Sequence, residues 1–472
     1  MDLHRMRTST STRRTKFSIS MQFRKNYFIL ALIGVVSTHG SGAAVDPPAV
    51  TSPPLLALIA PVAELQYLNY EDAVRIALND NVDLLALRNQ EESLKFQSKQ
   101  ALSPNEPTVS LQRVDIPGLS LTQRPAVTIY QLNWTLGFPG KALSNSASIR
   151  NLAVSTSEQA RAQEITIMTS LSNSYVTFAT NQSFYRFLLE EQQKDKDLER
   201  LIEKKFAASQ ASKVDLLNAS VATQQIAQAL VQNRNDYAVQ LTQFRQIIRR
   251  PMDKTLLPRI PDNFVIPDIK RPFEELIPVM LKNNHAVAAA QSTLASQSAL
   301  HTNAMLQALP DLQFTAGISQ WLPGPAPNPT TPRDYSLGLA IVVPIFYPFN
   351  ELQGVHAAGK NLAAAENQLT SQQLQAISGL QTAYTSLKAT LKDLEMSEKL
   401  VVPAAKASYD LTLLTYGLGK ADYFMLNQSR RSWHDSLRDV FTKRQSAAQF
   451  YNQLIAQMGC DIARTEGPNV CK

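Results

Sequence analysis

The side chains best suited to nucleophilic, acid–base or metal chemistry in this chain are its six histidines and two cysteines. Their spacing argues against each of those chemistries. Past the N-terminal region the histidines are His39, His285, His301, His356 and His434, too far apart in sequence to make a close metal-ligand pair. Cys460 and Cys471 stand near the C-terminal end. In an oxidising compartment they can close a small loop; otherwise they are two free thiols. There is no Gly-rich phosphate loop, zinc spacing or nucleophile elbow. Lys194-Asp-Lys-Asp-Leu-Glu-Arg200 mixes both signs, the pattern of a solvated helical face. No catalytic, cofactor-binding or metal-binding residue is expected, and the chain is not expected to be an enzyme.

The charge distribution excludes another class. The formal net charge is +7, but Arg5, Arg7, Arg13, Arg14, Lys16, Arg24 and Lys25 all precede Tyr27, opposed only by Asp2. Without that segment the chain is close to neutral. It offers no broad footprint for phosphates, so no nucleic-acid partner is expected. The basic stretch, the apolar run Tyr27–Val36 and the small residues Ser41-Gly-Ala-Ala44 read together as a signal peptide over 1–44. A Pro-rich segment follows over 45–64. No later apolar run approaches the roughly 20 residues of a membrane-spanning helix. A membrane β-barrel also lacks such runs, because its strands alternate.

Function must then reside in elements rather than in a reactive cluster, and the elements repeat. Glu71–Asn81 and Glu274–Asn284 open two amphipathic helical stretches. Each runs through Ala-, Gln- and Ser-rich sequence to a breaker, Leu102-Ser-Pro104 or Leu309-Pro310-Asp311. There the apolar period changes from 3.6 to 2. Strands are expected near 107–114, 126–136, 311–320 and 334–343. On one face stand Val109, Leu111, Leu132, Trp134, Leu312, Phe314, Ile318, Tyr335, Leu337 and Leu339. On the other stand Ser110, Gln112, Gln131, Asn133, Gln313, Thr315, Ser319 and Ser336. Loops from Asp115 and through Trp321–Pro332 are rich in turn formers. Second breakers, Phe138-Pro139-Gly140-Lys141 and Val343-Pro344-Ile-Phe346, return the chain to helix. From Lys141 to Arg250 there is no Gly or Pro, a stretch that must fold back as a hairpin or extend as a tube wall. The organisation is a first repeat over 65–250, a Pro-rich linker over 251–272, a second repeat over 273–459 and a tail over 460–472. Each repeat is a helix–strand–strand–helix–helix unit.

Strands of about ten residues with one apolar and one polar face suit a wall between lipid and a water-filled lumen. The eight polar residues above would line that lumen. Tyr130, Trp134, Phe138, Phe346, Tyr347 and Phe349 cluster at the strand ends, as in an interfacial girdle. Four strands cannot close, and closure takes about eight or more, so the chain must oligomerise; a trimer gives twelve. The competing reading is a coiled-coil-rich periplasmic or surface protein without a pore.

These residues resemble the TolC-type outer-membrane efflux proteins over roughly 65–459. The joints at Pro104, Pro139, Gly140, Pro310 and Pro344 look like that family's strand-to-helix turns. The most specific likeness is the hairpin tip: Phe206, Ser209, Ser212, Asp215 and Leu216 in the first copy, and Tyr416, Gly419, Asp422 and Leu426 in the second. The resemblance implies a mainly α protein with a membrane β-barrel portion, a homotrimer with a 12-stranded barrel in outer-membrane lipid and a 12-helix periplasmic tunnel. Its tips would dock a periplasmic adaptor bound to an inner-membrane pump, and the chain would be a passive exit duct for efflux or type I secretion. It departs from the family at Ser209, where a tip Gly is usual, and at Asn81-Val82 and Asn284-His285, where Asn-Pro is common. Met425 and Gln428 stand where some members carry an acidic ring, and Ala421 where some carry Arg, so no charged gate follows.

Overall fold

The computed structural model describes residues 66–114, 127–260, 266–267, 269, 271–321, 333–343 and 346–459. The expected signal peptide, the segment 45–64, the loops beginning at Asp115 and after Trp321, Pro344, and the tail with both cysteines lie outside the described residues.

The first repeat begins with α1 (Tyr70–Asp80) and α2 (Val82–Gln100). The Asn69 and Asn81 side chains start them by accepting the N–H groups of Asp72 and Leu84. Two strands follow, β2 (Thr108–Val114) and β3 (Val127–Leu136). Then come α3 (Lys141–Ala207) and α4 (Lys213–Ile247). α3 has 67 residues, about 100 Å at the rise of an α-helix. The Gly- and Pro-free stretch therefore folds back, at Ala208–Ser212. The second repeat has the same order: α5 (Phe273–Asn283), α6 (His285–Gln307), β5 (Asp311–Trp321), β6 (Arg333–Val342), α7 (Glu351–Met396), α8 (Val402–Gly417) and α9 (Tyr423–Gln457). Asn284 caps α6 as Asn81 caps α2, so Asn alone makes the turn at both junctions without a following Pro.

Two features escaped the sequence reading. The Pro-rich linker contains a strand, β4 (Leu256–Pro258), which pairs in parallel with β1 (Gln66–Leu68). Three residues are too few to show a period of two. The helix that resumes after the Val343–Phe346 breaker is interrupted by a π turn at Ser397–Val401.

Each repeat has its own core. In the first, Phe178 and Phe244 are fully buried with Tyr175, Tyr237, Leu171 and Leu256, and the rings meet edge to face at 5.4–5.8 Å. In the second, Leu276, Met280, Leu380, Leu387, Leu454 and Ile455 fill the equivalent place. α3 packs on α2 of its own repeat and on the Ala-rich α6 of the other. Small residues let these backbones approach, and buried hydroxyls pair across both contacts: Ser98 with Ser146 at 3.1 Å between α2 and α3, Ser148 with Ser296 at 2.9 Å and Ser155 with Thr293 at 2.9 Å between α3 and α6. A third core, near the tips, joins Ile202 of α3 to Tyr416, Tyr423, Leu426 and Trp433.

The end of α9 seats on the α5–α6 junction, where Asn284 Nδ2 donates to Gln457 O at 2.8 Å. Gly459 leaves that seat at φ 72°, and a Cβ there would lie 2.2 Å from Asn283 O. Gly459→Ala is expected to lower stability by about 3 kcal/mol, from left-handed backbone and overlap together. The detergent-solubilised chain would show this as a lower thermal midpoint; an unchanged midpoint would mean the seat is not needed.

Candidate functional site

The sheet has the order β2-β3-β5-β6, all antiparallel. Register decides which side chains share a face. Ser110 lies opposite Gln131, Gln131 opposite Gly317, and Gly317 opposite Ser336. A second row joins Thr108, Asn133, Thr315 and Gly338; a third joins Gln112, Ile129, Ser319 and Asp334; Gln313 stands between Thr135 and Ala340. All eight residues expected at the lumen thus share one face. Ile129 is an apolar member of it that alternation alone did not mark. The opposite face carries Val109, Leu111, Tyr130, Leu132, Phe314, Ile318, Tyr335 and Leu337.

The exposure of the two faces is the reverse of a sheet in a soluble protein. In β3 and β5 the polar Gln131, Asn133, Gln313, Thr315 and Ser319 are half-buried, whereas Tyr130, Leu132, Leu312, Phe314 and Ile318 are exposed. Toward the edges Val109 is 80% and Leu337 89% exposed. A contiguous apolar surface of this kind calls for a cover, either lipid or another protein. Tyr130 departs from the girdle expectation: it pairs with Leu111 and Ile318 within the sheet. The exposed Phe138, Phe346 and Phe349 stand at the helical end, and Trp321 and Tyr335 toward the other.

The joints of the two repeats lock to each other. Lys141 Nζ donates to Asp311 Oδ1 at 2.7 Å and to Leu309 O at 2.9 Å. Asp311 Oδ1 also accepts the Phe138 N–H at 2.8 Å, and Asn303 Nδ2 donates to Lys141 O at 2.6 Å. Pro139 precedes Gly140, whose φ is 108°, a conformation that favours glycine. Pro104 follows the last turn of α2, and Pro310 separates α6 from β5. Trp134 Nε1 donates to Asn105 O at 2.7 Å, holding the first joint against its own sheet. Lys141 and Asp311 were visible inside the two breaker motifs, but their pairing spans 170 positions and no local pattern signals it.

The tips are built twice on one backbone plan. Ser209 has φ 59° and Gly419 φ 73°. The following N–H closes the helix in each, Gln210 to Lys205 O and Lys420 to Thr415 O. Ser209 therefore takes the glycine conformation. Ser212 caps α4 in a reciprocal box with Asp215, and Asp422 caps α9 by accepting Met425 N–H at 2.8 Å. The tip carboxylates are helix caps in this chain. Leu426 is fully buried, Tyr416 nearly so, Leu216 half-buried and Phe206 more exposed. Lys205, not singled out by sequence, ties the tips together: its Nζ donates to Tyr416 O at 2.7 Å and lies 4.4 Å from that ring's centre.

Behind the tips, α3 and α9 meet through buried charge. Asp195 pairs with Arg430, and Glu191 with His434 and Lys194. Burial alone would raise the Glu191 pKa, but its hydrogen bonds to His434 and Lys194 outweigh burial and hold it below the ordinary range. Burial pushes the Tyr409 and Tyr423 hydroxyls up to about 12.

Two outcomes follow. A double-mutant cycle on Lys141→Met and Asp311→Asn should give a coupling of about 1–3 kcal/mol, because both groups lie mostly out of water; additivity would mean the joint lock is decorative. A depressed Glu191 stabilises the fold above the unfolded carboxylate pKa, and that contribution is lost as pH falls through the folded value. Glu191→Gln should therefore flatten the acid limb of a stability–pH curve below about pH 4.5. An unaltered acid limb would exclude this source.

Comparisons with known proteins agree with this geometry. Residues 276–460 match the family model described as outer membrane efflux protein. The fold is similar to that of the outer-membrane channel OprN, at TM-score 0.70 and 16% identity, covering 83% of this chain and 90% of that one. It is similar to CusC, described as forming a transmembrane channel, at TM-score 0.70 and 14% identity, covering 89% and 99%. It is also similar to the outer membrane protein VceC of Vibrio cholerae, at TM-score 0.69 and 17% identity, covering 83% and 96%. No curated protein matches the sequence. The second repeat thus matches the outer membrane efflux protein model, and the fold is that of solved outer-membrane channels.

Proposed function

We propose that three copies of this chain form a passive exit duct across the outer membrane and periplasm, coupled through a periplasmic adaptor to an inner-membrane pump. The observation that carries this reading is the sheet: its apolar face is uncovered, in β3 and β5 its polar face is the more enclosed, and among the described residues the outer edges of β2 and β6 have no partner strand. Unpaired edges are not tolerated in lipid. Joining β6 of one copy to β2 of the next satisfies both edges and gives a twelve-stranded wall, with Ser110, Gln112, Gln131, Asn133, Gln313, Thr315, Ser319 and Ser336 facing water.

The helices support the same closure. α3 packs on α4 and α9, and α9 packs on α8, so α4 and α8 form the two margins of a four-helix strip. Each margin carries exposed apolar residues at three- and four-residue spacing, Val214, Leu217 and Val221 on α4 and Leu411 and Leu414 on α8 with Leu418 at its C-cap. Such stripes are coiled-coil seams lacking their other half. Setting α8 of one copy on α4 of the next closes twelve helices. No residue along the path needs to react. The duct supplies a wet route, the pump supplies the energy, and the tips containing Phe206–Leu216 and Tyr416–Leu426 are the end the adaptor meets.

The deciding experiment is single-channel conductance in a planar bilayer, with the oligomer mass measured on the same preparation. Discrete steps from a trimer are expected, and Leu414→Asp should cut the trimer fraction at least ~10-fold by burying an unpaired charge at the seam. A non-conducting monomer would overturn the reading.

A further inference from the structure

The apolar face of the sheet changes character at one end. Its rows run from Leu136, Leu312 and Ile341 nearest the helices to Leu111, Tyr130, Ile318 and Tyr335, and none of them carries a charge. The next row joins Arg113, Thr128, Gln320 and Arg333. Among the described residues of β2, β3, β5 and β6, these two arginines are the only charges on this face. The carboxylates of the same strands, Asp311 and Asp334, fall on the polar face. Both are engaged there: Asp311 accepts from Lys141 and the Phe138 N–H, and Asp334 accepts from Trp321 Nε1 at 2.7 Å. Charge is thus sorted by sign, acid to the polar face and base to the apolar one.

The height of the basic row is set by the strand. Leu136 and Thr128 stand eight positions apart on β3, about 27 Å along a strand. At the tilt of barrel strands that is about 20 Å along the membrane normal, and the apolar band of such barrels is about 25 Å tall. The exposed Phe138 extends the band at the helical end. The arginine row therefore lies at the far margin of the band. One row inward, the exposed Tyr130 and Tyr335 supply phenols of the kind that gather at a bilayer interface. A guanidinium is costly in hydrocarbon, whereas at headgroup level it meets phosphate, which its planar fork binds through two hydrogen bonds.

Arg113 is half-buried on one edge strand and Arg333 exposed on the other. Three strand spacings separate them, about 14 Å. Between them stand a hydroxyl and an amide, both neutral hydrogen-bonding groups. We propose that Arg113, Thr128, Gln320 and Arg333 bind a lipid headgroup carrying two phosphates, one at each guanidinium, with Thr128 and Gln320 bonding the polar bridge between the phosphates. Binding rests on this row alone. Its place in the outer leaflet rests on the duct reading, in which the helical end is periplasmic.

The test offers the full chain in detergent three lipids and reads binding by native mass spectrometry: lipid A with two phosphates, its monophosphoryl form, and phosphatidylcholine. The form with two phosphates should bind at least ~10-fold more tightly than the monophosphoryl form, and phosphatidylcholine more weakly still. Arg113→Gln with Arg333→Gln should weaken the first by at least ~10-fold and leave phosphatidylcholine and the thermal midpoint unchanged. No preference for the second phosphate, or a preference that the double variant keeps, would overturn the assignment. If the double variant does not fold, Arg333→Gln alone carries the test and should remove most of the preference. Inorganic phosphate should displace no more lipid than chloride at equal ionic strength. Full displacement by phosphate alone would make the row a site for free anions and overturn the lipid assignment. Conductance of the same samples reports on the duct separately. An unaltered protein that never conducts removes the duct reading, while the lipid preference still decides the arginine row.

Discussion

A strand edge offers a row of N–H and C=O groups, and hydrocarbon cannot answer them. That constraint governs the rest of this molecule. The chain supplies four antiparallel strands whose apolar face is uncovered, so the sheet is suited to lipid on one side yet unfinished at both ends. In the proposed duct its completion comes from further copies of the chain. The helices pose the same demand, since α4 and α8 present exposed apolar stripes that the proposed neighbouring copies would cover. Sheet and helical strip are held in one alignment by the joints, above all by Lys141 and Asp311. A twist at that belt would move the barrel edge and the helical margin out of register together.

Duplication sets the plan, and the two copies have then diverged where the plan leaves freedom. Both tips use the same left-handed turn, filled by Gly419 in one and by Ser209 in the other at some conformational cost. Both junctions between short and longer helices use an Asn cap, and neither needs a Pro after it. The α4 and α9 ends also match in place, with Arg249 and Gly459 both at positive φ. Arg249 and Arg250 add ion pairs to Asp83 and Asp80, where the second copy relies on Gly459 fitting against Asn283. The π turn is the larger divergence, because it alters the backbone rather than a side chain.

The alternation of apolar and polar residues, the Pro-Gly breakers and the long Gly- and Pro-free run were legible because they are local. A period of two or 3.6 is written into consecutive residues and does not depend on what packs against them. The repeat was legible for the same reason, since each copy spells its elements in the same order. Asp215 and Asp422, picked out by the tip pattern, each use one carboxylate oxygen to accept a backbone N–H three residues away.

The sequence by itself determined the four long strands, the breakers between them and the helices, and which side chains share a face, because backbone sterics and side-chain periodicity act over a few residues. Only the tertiary structure decided that Lys141 meets Asp311, that Lys205 closes on the second tip, that β1 finds β4, and that the buried charges of α3 and α9 face each other. Those contacts join positions up to 235 residues apart. Their geometry arises from how whole elements stack, which no local pattern encodes.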